Sequence, residues 1–213
     1  MERIELLHTL PLVFQGRELK SEIWLQDVAF QKGETILIEA SSGTGKSSLC
    51  SYIIGYRKDY SGDILFDGKD IRRHRVSDWT SIRQHSLSLL FQELRLFPEL
   101  TAMENVQIKN GLTNHKNRKE IEDWFERLGI ADKMTAKVGR MSFGQQQRVA
   151  MIRALVQPFD FLMADEPISH LDDENSAIMA EIMMEEVRRQ GAGVIVTSIG
   201  KHMNMSYDKT FCL

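Results

Sequence analysis

The most informative segment of the chain reads Ala40-Ser41-Ser42-Gly43-Thr44-Gly45-Lys46-Ser47-Ser48. The residues before it, Thr35–Glu39, are largely apolar and are typical of a buried strand. The residues after it, 47–54, carry apolar side chains at helical spacing. A strand, a turn that contains glycine, a Lys-Ser pair and a helix form the arrangement of a phosphate-binding loop. The segment therefore predicts a site for a nucleoside triphosphate.

This loop supplies several kinds of phosphate contact. Its glycines let backbone N–H groups turn inward, and the helix N-terminus adds a partial positive charge. Lys46 supplies a full charge to the β- and γ-phosphates, and Ser47 offers a hydroxyl to Mg²⁺. The residues expected to contact the nucleotide are Ser41, Ser42, Gly43, Thr44, Gly45, Lys46, Ser47 and Ser48. Ala40 replaces the glycine with which the pattern usually begins, and alanine is acceptable there if its φ is negative. The alternative is a strand-to-helix turn that happens to contain a lysine.

The composition is that of an ordinary globular protein, with 213 residues, 42% hydrophobic and 27% charged. The net charge of −3 gives no electrostatic support to a nucleic-acid partner. No apolar run approaches the ~18 residues that cross a bilayer, and the N-terminus lacks the apolar run of a signal peptide. The two cysteines do not suggest a disulfide framework. These features favour a cytoplasmic protein.

Strands alternate with helices along the chain, which predicts an α/β fold with a mainly parallel sheet. We expect an antiparallel β part over residues 4–30, strands over 35–39, 62–68, 87–91, 159–164 and 194–197, and helices over 47–54, 144–156 and 173–190. The strand at 194–197 is expected to be the last parallel strand. Residues 93–140 have a helical pattern, with the capping-box spacing of Thr101 and Glu104 and an apolar stripe from Ile121 to Leu128. They predict a helical lobe inserted into the α/β domain.

A nucleotide triphosphatase also needs an acidic group near the metal and a group that acts on water. Asp165 follows a largely apolar run, which places it at the carboxyl end of a buried strand, where α/β sheets bind ligands. It is the candidate for contact with Mg²⁺. Glu166, the next residue, is the candidate general base.

The segment Met141-Ser142-Phe143-Gly144-Gln145-Gln146-Gln147-Arg148 opens a helix, and here the chain resembles the ATP-binding-cassette (ABC) ATPases. The phosphate loop, Gln92, residues 141–145, Asp165-Glu166 and residues 169–172 occur in the order of that family. The stretch 91–106 is similar to cassettes of bacterial importers and of lipoprotein-release or macrolide-export systems. The resemblance implies a single cassette over 1–213, with a P-loop NTPase core at 1–92 and 141–213 and the helical lobe at 93–140.

The resemblance also implies a mechanism. Two cassettes would enclose two ATP molecules head to tail, with Ser142, Gly144 and Gln145 of one copy facing the γ-phosphate held by the other. Gln92 would contact Mg²⁺ and the attacking water. The helical lobe and residues 93–100 would receive a separate membrane permease, so that the cassette lies at the inner face of the cell membrane. Phe14 is the candidate to stack on adenine, although a core strand position explains it equally well.

The chain departs from the family pattern at three positions. Ala40 is a minor change. Phe143 replaces a glycine in the signature, where its ring could close over the nucleotide or obstruct it. Ser198 stands where the family has a histidine that contacts the γ-phosphate. A serine hydroxyl can bond to phosphate but cannot become cationic, which could lower the rate by roughly 30- to 150-fold.

These departures leave three hypotheses open. The first is a transport ATPase that is slow or activated by its partner, because Glu166 is intact. The second is a switch that dimerises on ATP and hydrolyses very little. The third, an ABC protein of DNA repair or translation, lacks support because the chain has one cassette and no basic excess. The sequence does not identify the cargo or its direction of travel.

Overall fold

The computed structural model describes the whole chain, residues 1–213. The strands are β1 (Arg3–Pro11), β2 (Asp27–Gln31), β3 (Thr35–Glu39), β4 (Tyr60–Phe66), β5 (Lys69–Asp70), β6 (Leu87–Leu90), β7 (Phe161–Asp165), β8 (Gly193–Ser198) and β9 (Lys209–Cys212). The α-helices are α1 (Lys46–Ile53), α2 (Val76–His85), α3 (Ala102–Asn110), α4 (Arg118–Arg127), α5 (Phe143–Leu155) and α6 (Asp173–Gln190).

A parallel sheet has the strand order β6-β7-β8-β3-β9. This arrangement confirms the mainly parallel sheet. The prediction that residues 194–197 form the last parallel strand was wrong, because β9 adds to the free edge of β3 with Ile38 paired to Phe211. The side chains of β9 are half-buried or exposed, so it lacks the continuous apolar run by which a buried strand is identified in sequence.

A second, antiparallel sheet has the order β2-β1-β4-β5 and confirms the predicted β part. Asp67 and Gly68 connect β4 to β5, both with positive φ, as an Asp-Gly hairpin turn requires. Residues 23–25, which the sequence assigned to this part, lie outside its strands, and Trp24 is instead buried beside the phosphate loop.

The parallel sheet is covered by apolar packing on both faces. Side chains of a strand point alternately to the two faces, so neighbouring residues of β3 belong to different apolar clusters. Ile36 and Ile38 of β3 belong to an apolar cluster shared with the antiparallel sheet and α1. Leu37 belongs to a second cluster shared with α3, α4, α5 and α6. The phosphate loop therefore follows directly after a strand whose two faces are both packed against apolar clusters.

The helical segment contains α3 and α4, and both begin with the capping boxes that their sequences contain. The predicted stripe of α4 is buried, with Ile121 and Phe125 fully covered. Helix α5 packs against α3 and α4, so the segment shares its apolar core with the rest of the chain. None of the helices combines the length and the apolar character needed to span a membrane.

Candidate nucleotide site

The phosphate loop turns sharply between β3 and α1. Gly43 and Gly45 have φ values of 82° and 104°, a region that side chains strongly disfavour. A Cβ atom at Gly45 would also lie 3.0 Å from the Phe14 ring and 3.1 Å from the Trp24 ring. Gly45 is the N-cap of α1, and Lys46 is its first residue. The helix N-terminus and the Lys46 side chain therefore belong to one short loop.

The aromatic side chains of Trp24 and Phe14 pack against this loop. Trp24 is 2% exposed, and its Nε1–H donates to the carbonyl oxygen of Thr44 at 2.9 Å. Phe14 is also buried at 8% exposure, and the Arg17 guanidinium lies 5.8 Å from its ring centroid. The sequence did not identify Trp24 as a support for the loop, because the contact depends on how residues 21–25 fold back over it.

Asp165 ends β7 directly beside α1. The Ser47 hydroxyl donates to its Oδ2 at 3.3 Å, and the Thr197 hydroxyl on the neighbouring strand β8 donates to its Oδ1. Burial raises the pKa of Asp165, and the hydrogen bonds from Thr197 and Ser47 oppose that rise. The network fixes the orientation of the carboxylate and leaves oxygen ligands next to the loop.

Glu166 has φ +50°, which is uncommon for a residue with a side chain. Its backbone N–H donates to the Thr197 carbonyl at 3.1 Å, and the buried Gln147 amide donates to the carbonyls of Glu166 and Pro167. The Oε1 atom of Glu166 lies 3.5 Å from Lys46 Nζ. The backbone after β7 is thus held so that the Glu166 carboxylate turns towards the phosphate loop. The sequence did not identify Gln147, whose role depends on the packing of α5 behind this turn.

A cavity of about 490 Å³ brings most of the predicted residues together. Its lining includes Phe14, Ser42, Gly43, Gly45, Lys46, Ser47, Ser48, Gln92 and Glu166. Val13, Arg17 and Ile199 also line it and were not predicted. A larger cavity of about 660 Å³ lies beside Thr35 and Asp208, at the opposite end of the parallel strands, and contains none of the predicted site residues. The predicted nucleotide site therefore corresponds to the smaller cavity.

Comparison with known proteins identifies the family. A family model described as ABC transporter matches residues 26–169. The chain belongs to the ABC transporter family. The lipoprotein-releasing system ATP-binding protein LolD of Geobacter metallireducens is 35% identical over 170 residues, which cover 78% of this chain and 76% of LolD. The macrolide export ATP-binding/permease protein MacB of a Shewanella species is 29% identical over 201 residues, which cover 92% of this chain and 30% of MacB.

Solved ABC cassettes share the fold. The dimeric structure of MJ0796, a bacterial ABC transporter cassette, has a TM-score of 0.76 and 25% identity and covers 92% of this chain and 87% of that one. A dimeric post-hydrolysis state of MJ0796 bound to ADP and Pi has a TM-score of 0.73 and 26% identity. The chain is an ATP-binding cassette, and these relatives favour an ATP-driven transporter subunit over the hydrolysis-poor switch.

The ABC signature lies apart from the cavity. Ser142 is the N-cap of α5, where its hydroxyl and the Gln145 side chain form a capping box. Phe143 is 44% exposed, and its ring meets the His170 ring edge-to-face at 4.5 Å. None of Ser142, Gly144 and Gln145 lines the cavity of the same chain.

Ser198 is not brought into the cavity. It is 2% exposed, and its hydroxyl donates to the Lys201 carbonyl at 2.6 Å. The next residue, Ile199, lines the cavity in its place. His202 does not line the cavity either, and its Nε2 atom lies 3.0 Å from Glu39 Oε1. The apolar residue that follows β8 therefore lines the same cavity as Glu166.

Proposed function

We propose that the chain hydrolyses ATP as one of two cassettes joined head to tail and thereby drives a separate membrane permease. The observation that carries the proposal is the convergence of Lys46, Ser47, Asp165 and Glu166 on one side of the phosphate loop. These groups supply a cation, a hydroxyl and two carboxylates, which are the parts that phosphoryl transfer to water needs.

The phosphates would be held by the N–H groups of residues 42–48 and by the Lys46 ammonium. Donors that are fixed before the substrate arrives need no reorganisation when charge develops on the phosphoryl oxygens. The positive φ values of Gly43 and Gly45 support this role, because they allow successive N–H groups to face one concavity. Phe14, which lines the cavity, would contact the adenine.

The oxygen donors beside the loop fit Mg²⁺, which prefers hard ligands and keeps several waters. Ser47 and Asp165 are 3.3 Å apart, and Gln92 lines the same cavity. We propose that these three residues hold the ion, Asp165 through water. Mg²⁺ held there would supply positive charge that offsets part of the negative charge of the terminal phosphates.

Glu166 would accept the proton of the attacking water. Its Oε1 now lies near Lys46 Nζ, and the γ-phosphate would compete for that cation. Once Lys46 binds phosphate, the carboxylate is released to act as a base. The buried Ser198 hydroxyl would have to leave the Lys201 carbonyl before it could contact phosphate, which supports slow hydrolysis by the isolated chain.

A second copy would complete each site. The hydroxyl of Ser142 and the N-terminus of α5 are exposed in one copy and would face the phosphates held by the other. The dimeric cassette MJ0796 supports a paired arrangement. The name of MacB, an ATP-binding/permease protein, supports a permease partner. With such a partner this chain would lie at the inner face of the membrane.

The test uses Lys46→Ala, with Lys58→Ala as a matched control because Lys58 is an exposed lysine outside the cavity. Calorimetry with Mg²⁺ and ATP should show binding by wild type and control. Loss of the charged contacts should weaken binding by Lys46→Ala by about tenfold to a hundredfold. Equal affinities of Lys46→Ala and wild type would overturn the assigned site, and absence of phosphate release by wild type would overturn the hydrolytic role.

A further inference from the structure

The segments that follow β7 and β8 form two sides of the nucleotide cavity. Glu166 begins the first segment, Ile199 lies on the second, and both residues line the cavity. The two strands are neighbours in the sheet, and the Glu166 N–H donates to the Thr197 carbonyl at 3.1 Å where they end. Beyond that bond, the distance between Glu166 and Ile199 depends on contacts between the segments themselves.

Lys201 makes such a contact. Its ammonium group donates to the Leu171 carbonyl at 2.8 Å and lies 3.1 Å from Asp173 Oδ1. Leu171 lies between β7 and α6, and Asp173 is the first residue of α6. Lys201 therefore joins the segment after β8 to the segment that begins with Glu166.

The backbone of Lys201 belongs to a tight turn that also contains Ile199. Gly200 has φ +75°, and the Lys201 N–H donates to the Ile199 carbonyl at 2.9 Å, which closes a three-residue turn. The Ser198 hydroxyl donates to the Lys201 carbonyl at 2.6 Å. Because residues 198–201 are bonded to one another, a shift of Lys201 would also shift Ile199.

The other end of this link is fixed by packing. The Leu171 side chain is 8% exposed, and its N–H donates to the Ile168 carbonyl at 3.2 Å. A Cβ atom at Gly144 of α5 would lie 3.2 Å from Leu171 Cδ2 and 3.4 Å from the His170 carbonyl oxygen. Such close packing leaves the backbone here little room to move, so the Leu171 carbonyl is a firm anchor for Lys201.

We propose that Lys201 is a positioning residue for ATP hydrolysis, which holds Ile199 at a fixed distance from Glu166 across the nucleotide cavity. The inference rests on the proposed function and deepens it. Ile199 lines the cavity with an apolar side chain, which leaves less room for bulk water around the candidate base. Exclusion of water strengthens the electrostatic interactions that stabilise a transition state.

A contribution to stability alone would not give the same result. The ion pair of Lys201 and Asp173 is exposed, with 45% and 97% of the side chains accessible, and such pairs contribute little to the free energy of folding. Lys201 also does not line the cavity, so it is not expected to bind ATP directly. The positioning role therefore predicts a change in turnover without a matching change in stability or in ATP affinity.

The test compares Lys201→Met, which removes the ammonium group but keeps the length of the side chain, with Lys201→Arg, which keeps a cation. Ile199→Ala and the double variant Lys201→Met/Ile199→Ala examine whether the two residues act together. Lys133→Met is the matched control, because Lys133 is 37% exposed, pairs with Asp132 at 2.6 Å and lies outside the cavity. Steady-state phosphate release gives kcat and KM, calorimetry gives ATP affinity, and hydrogen exchange reports on residues 198–203.

We expect Lys201→Met to lower kcat by about tenfold at unchanged ATP affinity, Lys201→Arg to retain most of the activity, and Lys133→Met to behave like wild type. Ile199→Ala should also lower kcat, and the double variant should be no slower than the slower single variant because both changes remove one effect. Hydrogen exchange at residues 198–203 should be faster in Lys201→Met than in wild type.

A wild-type kcat in Lys201→Met, additive losses in the double variant, or equal losses of kcat and ATP affinity would overturn the proposal. Unchanged hydrogen exchange in Lys201→Met would overturn it as well, whatever the rate of hydrolysis. Failure of wild type to release phosphate would instead overturn the proposed function, and with it any role of Lys201 in hydrolysis.

Discussion

Glu166→Gln should change hydrolysis and ATP affinity in opposite directions. In the structure Glu166 Oε1 lies 3.5 Å from Lys46 Nζ, and their side chains are only 11% and 6% exposed. Glutamine keeps the shape of the side chain but removes its charge and its ability to accept a proton. Hydrolysis should fall because water loses its base, and ATP should bind more tightly because Lys46 is no longer shared with a carboxylate.

The magnitudes follow from these contacts. Removal of a general base lowers a rate by about 10²- to 10⁴-fold. Two unit charges at this separation attract each other by about 5 kcal/mol at an effective dielectric constant of about 20. Desolvation of the pair offsets most of that attraction, so we expect ATP to bind about tenfold more tightly.

The assay measures steady-state phosphate release at saturating Mg²⁺ and ATP, and ATP affinity by calorimetry. Glu181→Gln is the control, because Glu181 is 65% exposed and does not line the nucleotide cavity. A wild-type rate no higher than that of Glu166→Gln would refute the role of Glu166 as the base and would favour the switch hypothesis. Weaker ATP binding by Glu166→Gln would refute the competition for Lys46.

Three further predictions concern the residues around the phosphate loop. Trp24→Phe removes the hydrogen bond to the loop carbonyl and should weaken ATP binding by about fivefold, as measured by calorimetry. Thr197→Val removes a hydrogen bond that lowers the pKa of Asp165, so that pKa should rise and the acidic limb of the pH–rate profile should move to higher pH. Gly55→Ala places a Cβ 2.4 Å from the Trp79 ring at φ +70° and should lower the free energy of unfolding by about 2–4 kcal/mol in a denaturant titration.

Each of these changes has a control and an outcome that contradicts it. For Trp24→Phe, thermal unfolding should show that the protein remains folded, and unchanged ATP affinity would contradict the supporting role. For Thr197→Val, an acidic limb that stays in place or moves to lower pH would contradict the assignment. Gly16→Ala is the control for Gly55→Ala, because Gly16 has φ +77° but no atom within 4 Å of an added Cβ. Equal destabilisation of the two glycine variants would contradict the steric argument.

Several features of the chain follow from short-range patterns. Strand β3 matches its apolar run at Thr35–Glu39, and α6 matches its periodicity at Asp173–Gln190. The capping box at Thr101 forms as its spacing with Glu104 predicts, because its hydrogen bonds lie within one helical turn. The phosphate loop, Asp165 and Glu166 were predictable for the same reason. Each depends on a strand end and a turn that neighbouring residues specify.

Other features depend on contacts between distant parts of the chain, and a pattern of neighbours does not contain them. Strand β9 forms because β3 offers a free edge, although its own residues are not continuously apolar. The bonds from Trp24 to the phosphate loop and from Thr197 to Asp165 depend on packing and on strand register. Sequence alone therefore determined the ATP-binding motif and the α/β alternation, since local spacing encodes both. Only the tertiary structure decided that Ile199 rather than Ser198 lines the cavity, because this follows from how the segment after β8 packs against the rest of the chain.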